Sequence, residues 1–141
     1  MHKLKENIKP SYGAFSSELG AASGDSVNPA TFVNMATYGH ARIIGQVVGC
    51  TSDNVVSLIA LEATAANGGG SATLGAAYTD TFTSTHATHT GVLQVEVDSK
   101  DLTTGYQYVG FRLITNDAGG NECVGVVIEQ SDPRYAQETL A

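Results

Sequence analysis

Tyr106-Gln107-Tyr108-Val109-Gly110-Phe111-Arg112-Leu113-Ile114 decides the fold class. In an extended chain, successive side chains point to opposite faces. Tyr106, Tyr108, Gly110, Arg112 and Ile114 then share one face, and Gln107, Val109, Phe111 and Leu113 share the other. The stretch is rich in aromatic and β-branched residues, which favour strands. The polar run Asn116-Asp117-Ala118-Gly119-Gly120-Asn121 follows it, and then a second strand-like run, Glu122-Cys123-Val124-Gly125-Val126-Val127-Ile128-Glu129. The two runs read as a β-hairpin with a long loop.

Working outward, the same period recurs. Thr90-Gly91-Val92-Leu93-Gln94-Val95-Glu96-Val97 ends in alternation, with Val95 and Val97 inward and Gln94 and Glu96 outward. Asp98-Ser99-Lys100-Asp101 reads as a turn. Val55 to Ala63 is an apolar run with Val56, Leu58, Ala60 and Glu62 on one face. Thr51-Ser52-Asp53-Asn54 is a turn cluster before it, and Ala41 to Gly49 a strand before that. Thr31 to Tyr38 also reads as a strand, with Gly39-His40 as a break. Residues 67–71 form a Gly-rich loop, and residues 71–90 show no placeable strand. Six or seven strands without an amphipathic helix predict an all-β, antiparallel β-sandwich or jelly roll.

Residues 1–30 differ from the rest. Lys3, Lys5 and Lys9 crowd the start, and a Gly-, Ala- and Ser-rich stretch follows between Pro10 and Pro29. Neither strand nor helix period persists. The segment is expected to be an extended N-terminal arm with Tyr12, Phe15, Leu19 and Val27 as sparse apolar anchors, ordering only on docking. The same composition also describes a disordered tail. The β-sandwich domain is expected over residues 31–141.

The whole chain has 141 residues, the size of one domain, with 7 Lys+Arg against 14 Asp+Glu and a net charge of −7. An acidic chain repels phosphate backbones, so nucleic acid is not an expected partner. Only 15% of residues are charged. That fits a surface buried against partners, where an unpaired charge is costly, and equally a Gly- and Thr-rich β-protein. No apolar stretch follows Met1 to Lys5, and no run approaches the length of a membrane span. Neither signal peptide nor membrane is expected, and the protein is expected to be made in the cytoplasm.

Candidate chemistry is sparse. Cys50 and Cys123 lie outside any CxxC or Cys/His pattern, so reduced, half-buried thiols are expected; a disulfide would need neighbouring strands. His86-Ala87-Thr88-His89 has a spacing that on a strand sends the two rings to opposite faces, which spoils chelation, so no metal site is expected. Asp98 and Asp101 read as turn carboxylates bonding nearby backbone N–H groups. No GxSxG, HExxH, Walker A or GxGxxG motif occurs. No enzyme and no cofactor are expected. For a carbohydrate- or receptor-binding module, Tyr106, Tyr108 and Arg112 would be the candidates, although these three are expected rather to face a core or a subunit interface.

Two stretches carry a resemblance. Asp98-x-x-x-Leu102-x-x-Gly105-Tyr106-x-Tyr108-Val109 is similar to the penultimate segment of small tailed-phage head proteins. Val126-Val127-Ile128-Glu129-Gln130-Ser131-Asp132-Pro133-Arg134-Tyr135 is similar to their ending, from which the chain departs at Ala136, where many relatives continue with Pro. Val55 to Ala63 sits where these proteins have a strand before a Gly-rich loop. The family resembled is that of capsid decoration, or cement, proteins. It implies a β-sandwich or jelly-roll subunit, often a homotrimer, that binds the major capsid protein on the virion surface and stabilises the shell. On that reading Tyr12, Phe15, Leu19, Arg134 and Tyr135 are the candidate interface residues. A tail, fibre or head-spike component would share the β-body and the lack of chemistry.

Overall fold

A computed structural model describes residues 8–19, 26–86, 88–116 and 122–133. Its strands are β1 (Ile8–Leu19), β2 (Ser26–Val27), β3 (Val33–Asn34), β4 (Tyr38–Cys50), β5 (Val55–Ala63), β6 (Ala72–Thr73), β7 (Thr79–Thr83), β8 (His89–Asp98), β9 (Tyr108–Thr115) and β10 (Glu122–Pro133). Among the described residues the helical segments are two short 3-10 turns, Ala76–Tyr78 and Ser99–Asp101.

Two antiparallel sheets face each other. One has four strands in the order β1-β10-β4-β8; the other has six, with β2-β9-β5-β6 in line, β3 on β9 and β7 on β5. The long strands change sheet from one to the next: β4 to β5, β7 to β8, β8 to β9, β9 to β10. This wrapping is a jelly roll, one of the two expected architectures.

The core lies between the sheets. Ile43, Val47, Leu93, Val95, Val124, Val126 and Ile128 enter from the four-stranded sheet, and Val56, Leu58, Ala60, Val109, Phe111 and Leu113 from the other. The inward residues expected for β8, Val95 and Val97, are buried; on β5 the face of Val56, Leu58 and Ala60 turns to the core, and on β9 that of Val109, Phe111 and Leu113. Polar ties cross the core at both ends. Near one end Asn54 donates to Glu122, and the Thr115 hydroxyl donates to Asn54 Oδ1 at 3.0 Å; all three residues are buried. Near the other end buried Gln130 donates to the Asn34 carbonyl at 2.7 Å. Such satisfied bonds fix which residues meet, because leaving a buried partner unmatched costs about 1–3 kcal/mol.

Four expectations need correction. First, the arm: Ile8–Leu19 is a full strand paired to β10 along its length. It escapes a period-2 reading because the register shifts twice, between Tyr12 and Ala14 and between Ser16 and Leu19. Each shift inserts an extra residue and reverses the in-out order beyond it. Second, the runs at residues 106–114 and 122–129 are not a hairpin: β9 pairs with β2, β3 and β5, whereas β10 pairs with β1 and β4. The two strands lie in different sheets. Third, Gly39-His40 does not break the chain but lies inside β4. Fourth, Thr31 to Tyr38 is not one strand: it contributes β3 and, at Tyr38, the first residue of β4; Phe32 instead folds over the outside of the second sheet, against Leu61 and Ala63, and fills the space a side chain at Gly110 would take.

Because Leu19 is 1% exposed within the core, Leu19→Ala is expected to destabilise the domain by about 2–5 kcal/mol. Deleting residues 1–19 is expected to abolish cooperative unfolding, because β10 would lose a partner. Denaturant titration followed by circular dichroism checks both; a truncated chain that unfolds like the whole one would show β1 to be dispensable.

Candidate docking face

The outer face of the four-stranded sheet is built in rows fixed by register. Tyr12, Val127, Ile44 and Gln94 stand abreast; the next row is Phe15, Gly125, Gln46 and Val92. The first register shift of β1 explains why Tyr12 and Phe15, three residues apart, share this face. In a regular strand one of them would point inward. Gly13 is the extra residue, and a side chain there would strike the Val126 carbonyl and Phe111. The second shift turns Leu19 back into the core.

The result is an apolar field open to solvent. Tyr12 is 75% exposed, Phe15 65% and Val92 64%, with Val127 and Val48 also exposed. Two exposed aromatics side by side are unusual for a free surface, whereas aromatics are enriched where proteins meet. Between them and Ile44, Gln46 and Val127 runs an open groove of ≈ 400 Å³.

One end of the face is charged. Arg42 donates to Glu129 from Nε at 3.1 Å and again from a terminal nitrogen. His40 Nδ1 lies 3.0 Å from Asp98 Oδ1, and Lys100 Nζ 3.2 Å from Asp98 Oδ2. The hydrogen bond from His40, and then that from Lys100, hold the Asp98 carboxyl below its ordinary value. Glu96 is exposed beside Arg42 and Gln94.

Both edges of this sheet resist strand addition. On β8 the Gln94 N–H donates to the Asp80 carboxylate at 2.8 Å, and the Asp98 N–H to Asp101 at 3.2 Å. On β1 the edge carries Lys9, Pro10 and two irregularities. Capping carboxylates, proline and bulges all deter edge-to-edge pairing. The face, not the edge, is what this sheet offers.

Of the expected interface residues, Tyr12 and Phe15 lie together on this face, Leu19 belongs to the core, and Arg134 and Tyr135 fall outside the described residues. Val92, Ile44 and Val127 join the face from three other strands; only the register reveals them. Tyr108 packs against the Phe32 cluster. His86 and His89 do not point apart: Thr88 takes a left-handed conformation (φ 59°), and the rings stack with centroids 4.1 Å apart. His89 Nδ1 accepts the Thr85 N–H, and Phe82 meets the ring edge-on. Among the described residues no group of three or more His, Cys, Asp or Glu side chains is placed to hold a metal ion. Cys50 is buried and Cys123 exposed, and the two thiols form no disulfide.

Neither a protein-family model nor a curated protein matches the chain. Solved structures share its fold. A chain from infectious bursal disease virus, Gx strain, superimposes with a TM-score of 0.52 at 8% identity, over 92% of this chain and 32% of that one. The PBSX exported protein XepA gives 0.50 at 11% identity, over 100% of this chain and 42% of that one. A CBM35 from Cellvibrio japonicus Abf62 gives 0.48 at 16% identity, over 89% and 97%. The chain spans less than half the length of the first two. These likenesses concern the fold alone.

Two outcomes follow from this geometry. Tyr12→Ala with Phe15→Ala should shift stability by no more than about 1 kcal/mol, since neither side chain is buried, yet reduce the binding of a hydrophobic dye. Asp98 contributes stability that is present above its unfolded pKa and is lost as pH falls through its lower folded value. The advantage of the wild type over Asp98→Asn should therefore shrink as pH drops below roughly 4, read as melting temperature against pH.

Proposed function

We propose that this chain is a non-catalytic structural protein of a virion, docking on the outer surface of a phage capsid as a decoration protein and stabilising the shell by bridging neighbouring capsomers. The observation that carries the reading is the exposed pair Tyr12 and Phe15, standing on an apolar sheet face whose two edges are closed. A sheet of this kind docks flat against a surface; it does not recruit a strand. The jelly roll, which a virus chain shares, and the sequence resemblance to small phage head proteins support the same reading.

The partner is the major capsid protein, and the chain associates with itself as a homotrimer. Each face then contributes a modest contact, and several faces bound at once multiply it. A ligand that binds only the assembled shell stabilises that shell by mass action. The mechanism needs no nucleophile, tuned acid or metal. Its requirements are a rigid body, an apolar anchor and a charge pattern that sets orientation.

Light scattering should give a mass of three chains. Mixed with empty mature capsids of the encoding virus, the protein should co-pellet to a saturating, shell-like stoichiometry. Tyr12→Ala with Phe15→Ala should weaken that binding about tenfold or more while leaving the fold intact. A wild-type protein that never pellets with shells would overturn the reading in favour of a tail component or a receptor-binding module.

A further inference from the structure

Gly125 lies in the middle of β10, and a glycine inside a strand costs about 0.5–1 kcal/mol relative to alanine. Other strand glycines have a reason inside the chain. A side chain at Gly45 would crowd Leu113, one at Gly91 would strike Phe82, and one at Gly110 would strike Phe32. Gly125 has no such neighbour. A Cβ built there meets nothing within 4 Å, and its φ lies outside the left-handed range that calls for glycine. Among the described glycines it alone shows neither cause. Neither its backbone nor its packing within the subunit demands that a side chain be absent.

We infer that the hollow over Gly125 is a socket for one apolar side chain, aliphatic or aromatic, presented by the docking partner on a segment that also carries a basic residue. The inference rests on the docking reading above and deepens it. Register places Gly125 between Phe15 and Gln46, with Tyr12, Val127 and Ile44 in the adjoining row. The hollow is therefore floored by backbone and walled by two aromatics, the shape that receives an interface anchor. A sugar would need several free polar side chains around the ring. Here the groove offers Gln46 and Glu129, and Glu129 is held by Arg42.

Charge selects among protein partners. At the end of the face nearest His40, the carboxylates of Glu129, Glu96 and Asp98 outnumber the cations of Arg42 and Lys100. A basic residue beside the inserted side chain meets that excess. A second copy of this chain, with its net charge of −7, would bring the same carboxylates into opposition.

Gly125→Val tests the socket, with Gly125→Ala as the smaller step. A Cβ at this position meets nothing within 4 Å and valine suits a strand, so the melting temperature should hold or rise. Binding to shells should fall about tenfold for valine and less for alanine. The second readout is the amide NMR spectrum titrated with acetyl-lysyl-phenylalanyl-lysine amide. Saturable shifts at Phe15, Gln46 and Gly125 are expected, absent in Gly125→Val and absent with the glutamate-flanked counterpart. Shifts elsewhere, equal binding by Gly125→Val, the same shifts with maltose, or shifts that follow protein concentration alone would each overturn the socket. The last two would point to a sugar site and to a second copy. If Gly125→Val pellets with shells like wild type while Tyr12→Ala with Phe15→Ala does not, the face docks and the socket is wrong. If neither variant loses pelleting, the docking reading itself fails.

Discussion

The rest of the structure depends on the two-sided pairing of β10. It enters from the opposite sheet, slides between β1 and β4, and pairs with both in long antiparallel registers. Buried contacts near its two ends resist slippage: Glu122 to Asn54 at the start and Gln130 to the Asn34 carbonyl further on. Register matters here because a shift of one residue would exchange the two faces. Val124, Val126 and Ile128 would leave the core, and Val127 and Glu129 would enter it. The same pairing that fills the interior therefore also writes the pattern on the outside. In this domain the core and the docking face are two sides of one constraint.

The outer face and the edges have been treated in opposite ways. The edges are blunted by Asp80, Asp101, Pro10 and irregular register, although backbone hydrogen bonding is the easiest contact for a sheet to make. The face keeps Tyr12, Phe15 and Val92 in water, although burying them would be favourable. An open edge would accept almost any extended chain. A patterned face accepts only a surface whose shape and charge match its rows, so the arrangement trades promiscuity for specificity.

What the sequence disclosed depended on whether each element was regular. β5 begins and ends where its apolar run does, and strict alternation let the inward Val95 and Val97 of β8 be named and the two faces of β9 be separated, though not which of those two is the inner one. β1 was hidden because its two register shifts break the alternation, and because Gly13, Ala14 and Ser16 look like linker composition. The supposed hairpin failed for another reason. A polar, Gly-rich loop is required both by a hairpin and by a crossing between sheets, and local pattern carries no information on which partner a strand finds. His86 and His89 failed through a single residue, since the left-handed turn at Thr88 undoes the strand geometry assumed for them. The docking face was half legible. Tyr12 and Phe15 stood out as apolar residues in polar company, but Ile44, Val92 and Val127 look like ordinary strand residues until register sets them beside the aromatics.

The irregularity that concealed β1 is also what makes it useful. A regular strand shows one residue in two to each side, so aromatics at positions three apart cannot both face out. Inserting Gly13 lets Tyr12 and Phe15 stand on the same side while Ala14 still packs inward. The inserted position must itself be small, because Phe111 and the Val126 carbonyl fill the space beneath it. Gly13 thus serves the core from below and the face from above. Across the ladder, Gly125 opens the surface opposite Phe15, and here no inner neighbour demands it. The two glycines differ in the origin of their constraint. The first answers to packing within the subunit, whereas the second has no cause inside it and answers to what docks from outside.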